Sequence, residues 1–312
     1  MKNRRYIVSK ILCLMLVVLL LLTACTKEND EVFNISKDKG RLTARFFDIS
    51  SGTDTKSGDS MLIKSPDGYT MLIDAGAPEC AGQISEYLKK LNVTKIDYLV
   101  ASHPHIDHIG GFKKIINDFE IGAIYMSELE YPTETFKTTM KAIEDKELDI
   151  HYLKQGDTFK FGEQVDAKVY NPSAPIEYYD KYPEGSTQFV NDHSVVLKIT
   201  YGEVSMLFMG DVYKQKEMEL LEQYGDELQA NLIKAGHHGS DTSSSKALIE
   251  TVKPQIAIFT HDSMASLNTY NAYRKRNAIV YITGTDGNIL VSTDGKTLKD
   301  LAERDRPNDF LD

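Results

Sequence analysis

The sequence predicts an α/β fold, and three observations support this class. From residue 41 onward, short strand-like apolar runs alternate with amphipathic helical segments, and there is no short-period repeat. The 312 residues suffice for a substantial core, and 41% hydrophobic with 26% charged residues is an ordinary globular balance. Two strand-rich halves, each ending in a loop that carries histidines, suit a four-layered αββα sandwich.

The first half predicts a strand, a hairpin and a helix in that order. Their sequences are RLTARFFDIS, DSMLIKSPDGYTMLIDAG with its turn at residues 66–68, and AGQISEYLKKLN. KIDYLVAS then predicts a buried strand that ends just before His103. The loop after this strand therefore lies where α/β folds commonly place their chemistry.

The rest of the chain continues this alternation of strands and helices, with one irregular stretch at residues 171–192. FKKIINDF and TETFKTTMKAIEDKEL predict helices on either side of the strand IGAIYM, whereas residues 171–192 lack clear periodicity and predict a long loop. Beyond this loop, SVVLKITYGEVSMLFMGD predicts a hairpin, ANLIKAG a strand and SSSKALIETV a helix with a serine cap. Further strands and a helix lead to a terminal hairpin.

The first 25 residues predict an export signal. Four basic residues precede the apolar run ILCLMLVVLLLL at residues 11–22, which is shorter than the roughly 20 residues that a membrane-spanning helix needs. LTAC at residues 22–25 resembles the lipobox of bacterial lipoproteins, whose cysteine is lipidated and becomes the mature N-terminus. We therefore expect a lipoprotein anchored by lipidated Cys25 at the extracellular face of the cell membrane. The alternative is an ordinary secretory signal or a short anchor.

The remaining chain divides into three predicted parts. Residues 26–40 are polar and predict a flexible tether, residues 41–300 predict one domain, and residues 301–312 predict a charged, peripheral tail.

Cysteine content and net charge narrow the class of protein. Because Cys13 and Cys25 fall in the export segment, Cys80 stands alone in the mature chain, so no intramolecular disulfide can form and no cysteine-based zinc site is expected. The net charge of −10 becomes −14 once the export segment, with four basic and no acidic residues, is removed. This acidity disfavours non-specific binding to nucleic acid, in which Lys and Arg neutralise phosphates.

The stretch ASHPHIDHIGG at residues 101–111 gathers three histidines and an aspartate. His103 and His105 alternate on an extended loop, so both imidazoles can face one point. Asp107 and His108 can face a second point nearby, and the two glycines that follow allow the backbone to turn tightly into the next helix. Histidine and carboxylate ligands suit Zn, Mn or Fe. The loop therefore predicts a metal site with room for two ions.

HPHIDH within this loop resembles the HxHxDH signature of the metallo-β-lactamase superfamily, and the resemblance extends from Arg41 to about Asp294. Four further motifs are similar, in order and spacing, to those of the hydrolase domain of competence DNA-uptake channel proteins. They are FFDISSGTDTKSGDSMLIKSPDGYTMLIDAG, NDHSVVLKI, LFMGD and LIKAGHHGSDTSS. The resemblance implies the αββα metallo-β-lactamase sandwich and two divalent metal ions, with Zn expected first and Mn as the alternative.

The resemblance also implies a role for each matching residue. The first metal would be bound by His103 and His105, the second by Asp107, His108 and His237, and Asp211 would bridge the two. The residues implied to act in catalysis are Asp107, Asp211 and His238. The sequence alone leaves the choice between His237 and His238 as ligand almost even. We expect His237 to be the ligand and His238 to lie outside the ligand set, as a support for the ligands or as proton donor to the leaving group.

The remaining histidines are less well defined by the resemblance. His193 lies where the wider superfamily has a third ligand of the first metal, but its position directly before Ser194 does not match the usual spacing. Asn191 is a further candidate neighbour of that metal. His261 is expected to be an ordinary exposed residue and His151 a structural one.

The sequence departs from the competence group at three points. Ser57 replaces a glutamine, an insertion precedes it, and the late GHP element is missing, since no histidine follows His261. We therefore expect substrate recognition at that edge to differ, while the metal core is retained.

The fold alone does not choose among phosphodiester, amide or lactam, thioester and lactone substrates. The competence-like motifs imply a phosphodiesterase, nuclease-like or phosphorylcholine-esterase-like, that acts on a wall polymer, a lipid head group or nucleic acid. Three tyrosines beside acidic residues, Tyr178, Tyr179 and Tyr182, favour a choline-like cation. The alternatives are a β-lactamase or lactonase, and a non-catalytic surface binding lipoprotein. No protein partner is evident in the sequence.

Overall fold

Fifteen strands form two sheets within residues 30–52, 57–176 and 185–304, which are the residues that the computed structural model describes. In chain order the strands are β1 (Leu42–Phe46), β2 (Met61–Lys64), β3 (Thr70–Ile73), β4 (Lys95–Val100), β5 (Glu120–Met126), β6 (Ile150–Tyr152), β7 (Thr158–Phe161), β8 (Val165–Asn171), β9 (Val196–Tyr201), β10 (Val204–Phe208), β11 (Leu232–Lys234), β12 (Ile256–Phe259), β13 (Ile279–Ile282), β14 (Ile289–Thr293) and β15 (Leu298–Ala302). The first sheet has the order β15-β14-β1-β2-β3-β4-β5-β6, and the second has the order β13-β12-β11-β10-β9-β8-β7.

The described α-helices connect these strands. They are α1 (Ala81–Lys90), α2 (Ile106–Ile109), α3 (Phe112–Asp118), α4 (Glu134–Asp145), α5 (Thr187–Asp192), α6 (Lys214–Tyr224), α7 (Lys246–Val252), α8 (Leu267–Arg274) and α9 (Thr283–Asp286). Four of them begin where a hydroxyl side chain accepts a hydrogen bond from the first turn, as N-caps do: Thr133, Ser186, Ser245 and Ser266. The predicted serine cap of α7 is therefore confirmed as Ser245.

Three apolar cores define the layers. Alternate residues of a strand face opposite sides, so Met61 and Ile63 of β2 enter the core between the two sheets, while Leu62 faces the helices outside. In β10, Phe208 enters the central core and Leu207 faces the helices that cover the second sheet. A core between the sheets and one outside each sheet make a four-layered αββα arrangement, which confirms the predicted fold class.

The segment predicted to be a flexible tether is folded from Asp30 onward, so that prediction is wrong for residues 30–40. Short 3₁₀ helices span Asp30–Phe33 and Ile35–Asp38. Val32 and Phe33 are buried in the outer core of the first sheet. Arg45 donates from Nε to the Val32 carbonyl over 2.7 Å and forms an ion pair with Asp38. Two apolar residues and one acid therefore anchor this polar segment.

The predicted charged tail and long loop also differ in part from the structure. Residues 301 and 302 belong to β15, and Arg304 pairs with Asp48, so the domain continues to at least residue 304. In the predicted loop, residues 187–192 form α5 because Ser186 caps it and Phe189 and Val190 pack into a small apolar cluster.

The export segment and the proposed anchor at Cys25 lie outside the described residues, so both stay predictions. In the part of the chain that is described, none of the helices has the length and apolar character needed to cross a membrane.

Candidate metal centre

Polar side chains from both sheets meet at one edge of the sandwich. Strands β3 and β4 run parallel, as do β10, β11 and β12, so the carboxyl ends of each set lie together. The loops at these ends carry the candidate residues. They are Asp74 after β3, residues 102–108 after β4, Asp211 after β10, and residues 237–238 after β11, with Asp59 two residues before β2.

Asp211 lies at the centre of this group. Its Oδ2 atom is 3.2 Å from Nε2 of His238, 3.3 Å from Nε2 of His108 and 3.9 Å from Nε2 of His103. The Asp211 backbone N–H donates to Ser194 Oγ over 3.0 Å, which fixes the start of the loop. One carboxylate oxygen therefore faces three imidazoles that come from two separate loops.

Two imidazoles are each held from behind by a buried carboxylate. Asp74 Oδ2 lies 2.8 Å from His108 Nδ1, and Asp59 Oδ1 lies 2.9 Å from His238 Nδ1. A histidine whose Nδ1 donates to a carboxylate presents the lone pair of Nε2, which is how metal-binding histidines are commonly oriented. His108 and His238 therefore both direct Nε2 towards Asp211.

A second pair of imidazoles lies on the other side of His108. Nε2 of His103 is 2.9 Å from Nδ1 of His105, and the rings of His103 and His108 are 4.0 Å apart. Asp107 lies on the side of His238, with Oδ2 3.5 Å from His238 Nε2. The structure therefore brings together five predicted ligands: His103, His105, Asp107, His108 and Asp211.

The choice of His237 over His238 as ligand is not supported by the structure. The cluster of mutually close ligand atoms contains Asp59, His108, Asp211 and His238, all buried and within 4.8 Å of one another. His237 is only half-buried. Its Nδ1 lies 2.6 Å from Thr242 Oγ1, and its ring stacks on Tyr213 at 5.0 Å. His238 thus occupies the position predicted for His237.

The backbone explains why the second histidine of the pair enters the site. His237 and His238 both have left-handed conformations, with φ of 46° and 57°, and Gly239 continues the series with φ of 83°. Such angles cost non-glycine residues energy and often occur at functional sites. This tight reversal directs the side chain of His238 inward.

Lys234, the last residue of β11, is a buried cation beside the carboxylates. Its side chain is fully buried and pairs with Asp59, and Nζ lies 3.4 Å from Asp211 Oδ1. It also donates to the Gly210 carbonyl over 3.0 Å. Burial opposes a charge on this amine, but Asp59 and Asp211 hold the pKa of Lys234 above its usual value. Lys234 therefore neutralises part of the negative charge at the site.

Close backbone packing at two glycines fixes the loop of residues 102–108. A Cβ atom on Gly58 would lie 1.6 Å from the Asp107 carbonyl oxygen, and one on Gly111 would lie 2.1 Å from the Ala75 carbonyl oxygen. Gly110 and Gly111 have ordinary helical angles. A Cβ atom on Gly110 would also lie 2.4 Å from Pro78 Cδ, so both glycines of the motif are needed for close approach and not for the tight turn that the sequence predicted.

Burial and neighbouring charges both shift the pKa values of the histidines, and at His108 and His238 the two effects have opposite signs. Burial disfavours protonation, yet Asp211 and Asp74 raise the pKa of His108 to about 10. Asp211 and Asp59 likewise raise the pKa of His238 well above its usual value, against the effect of burial. Burial and the neighbouring His108 lower the pKa of His103. The carboxylates thus favour positive charge between His108 and His238.

These residues fit a bound cation. Nε2 of His108 and Nε2 of His238 are buried and lie 3.3 and 3.2 Å from Asp211 Oδ2, but neither makes a hydrogen bond of good geometry, although buried polar atoms are normally paired. Both atoms converge on the Asp211 carboxylate, so a divalent ion there would satisfy all three groups. Asp59 belongs to the same cluster, but its oxygens already contact His238 and Lys234, so we regard it as a residue that orients a ligand.

The other predicted residues lie around this centre. His193 is buried and its Nδ1 lies 2.7 Å from the Phe189 carbonyl oxygen. His151 stacks on Tyr125 in the first sheet, with ring centroids 4.8 Å apart. His261, expected to be an ordinary exposed residue, is half-buried, and its ring is 6.2 Å from that of His238. The three tyrosines at 178, 179 and 182 lie outside the described residues.

Three residues of the site were missed in the sequence, namely Asp59, Asp74 and Lys234. Each stands inside a motif that carried the resemblance: GD at residues 58–59, LIDAG at residues 72–76 and LIKAG at residues 232–236. The signal that could have identified them is a charged residue within or next to an apolar strand, because such a residue is rarely buried without a partner.

Comparison with known proteins agrees with this arrangement. Residues 53–176 match the family model of the metallo-beta-lactamase superfamily. The uncharacterized protein YcaI of Escherichia coli is 40% identical over 91 residues, which are 29% of this chain and 11% of YcaI. Competence protein ComA of Neisseria gonorrhoeae is 27% identical over 222 residues, which are 71% of this chain and 27% of ComA. The chain therefore spans about a quarter or less of the length of these relatives.

Among solved structures, the chain is similar to CmlA, a diiron β-hydroxylase from Streptomyces venezuelae. The TM-score is 0.48 at 11% identity, over 78% of this chain and 53% of CmlA. The predicted relationship to competence proteins is confirmed at low identity by ComA, and the family model covers the HPHIDH loop. Residues 53–176 therefore match the metallo-β-lactamase superfamily in sequence, and the two sheets, the outer helices and the candidate metal site agree with that match.

Proposed function

We propose that this protein is an exported, membrane-anchored hydrolase that uses two divalent metal ions to cleave a phosphodiester. One observation carries the proposal: a single Asp211 oxygen lies within 3.9 Å of three imidazole Nε2 atoms. A carboxylate that faces two sets of ligands is suited to bridge two ions.

Two ligand sets share this carboxylate. His103 and His105 would hold the first ion, and Asp107, His108 and His238 the second. When bound, such ions lower the pKa of a coordinated water and stabilise negative charge that develops on a substrate. No other strong base is then required of the protein.

The surrounding residues keep this centre in one geometry. Asp74 holds His108 and also accepts from Ser102 Oγ over 2.6 Å, so the start of the loop is fixed by the same carboxylate. Asp59 holds His238, and Lys234 limits the repulsion between Asp59 and Asp211. We assign His238 to the ligands of the second ion and not to proton donation to the leaving group, because its Nε2 lies 3.2 Å from Asp211 Oδ2.

Two kinds of support favour a phosphodiester substrate. The similarity to competence proteins covers 71% of this chain in the case of ComA. The expected anchor at Cys25 would also place the domain beside wall polymers, lipid head groups and extracellular nucleic acid. The net charge of −10 weighs against an extended grip on nucleic acid. Zn is the expected metal, and Mn is the alternative.

Hydrolysis by the purified chain from residue 26 onward tests the proposal. Bis-p-nitrophenyl phosphate, p-nitrophenylphosphorylcholine, single-stranded DNA and nitrocefin would be compared with Zn and with Mn. We expect metal-dependent cleavage of a phosphodiester that is lost in Asp107→Asn and kept in Asp166→Asn, whose side chain is 68% exposed. Comparison of the hydrolysis rates of the choline ester and of DNA distinguishes a phosphorylcholine-esterase-like enzyme from a nuclease-like one. Turnover of nitrocefin alone would indicate a β-lactamase, and no bound metal with no turnover would indicate a binding protein.

A further inference from the structure

A buried amide oxygen next to the first ligand pair has no hydrogen-bond partner. Asn191 is 1% exposed, and its Oδ1 atom makes no hydrogen bond. The amide is in polar contact with the His105 ring and the Tyr213 hydroxyl, but its Oδ1 atom forms no hydrogen bond of good geometry with either. Buried acceptors are normally paired, because desolvation without a partner is unfavourable. An unpaired oxygen at this position therefore suggests a partner that is bound from outside the chain.

The segment that carries Asn191 is fixed to the loop that carries Asp211. Asn171 donates from Nδ2 to the carbonyls of Asp192 and Ser194, over 2.9 and 2.7 Å. Asp192 Oδ1 accepts from the Tyr213 backbone N–H over 2.9 Å, and Ser194 Oγ accepts from the Asp211 N–H. Bonds on both sides of the segment thus set the position of the Asn191 amide relative to Asp211.

The two ligand sets differ by one residue. Besides the shared Asp211, the second set has Asp107, His108 and His238, whereas the first has only His103 and His105. Resting on the proposed binuclear centre, we propose that Oδ1 of Asn191 is the missing protein ligand of the first metal ion. His193 is the competing residue, but it belongs to the end of α5, where its Nδ1 donates to the Phe189 carbonyl and its ring packs on Phe189 at 4.3 Å.

An amide oxygen gives the first site a distinct character. Two imidazoles, a carboxylate and a neutral oxygen form a harder ligand set than three imidazoles and a carboxylate would. Oxygen ligands suit Mn. Asn191 adds no charge, so the first ion should bind more weakly than the second and exchange more readily.

Metal titration of the mature chain separates Asn191 from His193. Zn and Mn would be titrated calorimetrically into metal-free wild type, Asn191→Leu, Asn191→Asp and His193→Gln, with elemental analysis after dialysis. We expect two equivalents in wild type. In Asn191→Leu, which keeps the volume but removes the oxygen, we expect one equivalent unchanged and the other weakened by about 10-fold or more. Asn191→Asp should bind two equivalents of metal and bind Mn more tightly than wild type does. His193→Gln should also bind two equivalents.

The outcomes distinguish failure of this inference from failure of the proposed function. If wild type binds two ions and Asn191→Leu binds both with unchanged affinity, Asn191 is not a ligand, and loss of one ion in His193→Gln would assign the role to His193. Wild type without bound metal would overturn the binuclear centre itself. Should Asn191→Leu fail to fold by circular dichroism, Asn191→Asp decides alone, because unchanged affinities for both metals in that variant would overturn the inference.

Discussion

Lys234 and Asp59 form an ion pair in which neither side chain is exposed to solvent. The two residues come from different sheets, Lys234 from the end of β11 and Asp59 from just before β2. The pair therefore joins the halves of the sandwich directly beneath the candidate metal centre. Because Asp59 also holds His238, a structural contact and the orientation of a ligand depend on the same carboxylate.

Replacing Lys234 by methionine should destabilise the metal-free protein by about 3–5 kcal/mol, because the substitution leaves buried carboxylates without a cation. Added Zn should restore part of this loss, since a bound ion supplies positive charge near Asp211. Chemical denaturation with and without Zn measures both effects. Lys246→Met is the matched control, because the Lys246 side chain is 80% exposed, and its effect should stay within about 0.5 kcal/mol. Equal effects of the two substitutions would contradict this role of Lys234.

Substitution of the two adjacent histidines should have unequal effects on bound metal. His238→Ala removes an Nε2 atom that lies 3.2 Å from Asp211, so we expect at least one equivalent to be lost after dialysis. His237→Ala removes a ring that stacks on Tyr213 and should leave the metal content unchanged. Elemental analysis of the purified variants checks this. Loss of metal in His237→Ala alone would restore the assignment made from the sequence.

The fold could be predicted from the sequence because apolar periodicity follows directly from which face of a strand or helix is buried. The ligands on the loop of residues 103–108 could also be predicted from the sequence, since they lie within one motif. The choice between His237 and His238 could not, because it depends on two left-handed backbone angles. Asp59 was missed since its partner His238 lies 179 residues away, a contact that only the folded chain reveals.

Asp74 should influence metal affinity without contacting the metal. Its carboxylate holds His108 Nδ1 and accepts from the backbone and hydroxyl of Ser102. In Asp74→Asn an amide NH₂ can face Nδ1, so the orientation and basicity of His108 should be impaired. We expect metal affinity to fall by about 10-fold to 100-fold. Competition with a chromophoric chelator measures it, with exposed Asp166→Asn as control, and unchanged affinity in Asp74→Asn would exclude this support role.

Metal binding should release protons at neutral and mildly alkaline pH. In the metal-free protein the pKa of His108 is raised to about 10 by nearby carboxylates, so His108 is protonated at pH 8, whereas a metal ion requires its neutral form. Calorimetry at pH 8 in two buffers of different ionisation enthalpy should therefore give different apparent enthalpies. The raised pKa also means that His108 stabilises the metal-free fold fully below the unfolded pKa of about 6.5, and that this stabilisation is lost as pH rises through about 10. Identical enthalpies in both buffers would contradict the expected release.

Gly58 should be required for stability and metal binding because its backbone packs against the metal-binding loop. Gly68, which has a similar backbone angle but no close neighbour, serves as the comparison. Gly58 and Gly68 both have positive φ, 86° and 97°, so alanine is conformationally unfavourable at either position. At Gly68 a Cβ atom would meet nothing within 4 Å, whereas at Gly58 it would lie 1.6 Å from the Asp107 carbonyl oxygen. Gly68→Ala should therefore cost about 1 kcal/mol and keep the metal, while Gly58→Ala should cost about 3 kcal/mol or more and weaken metal binding by displacing Asp107. Denaturation and metal analysis of both variants test this, and equal losses would mean that backbone angle alone, and not contact with the metal loop, requires a glycine at position 58.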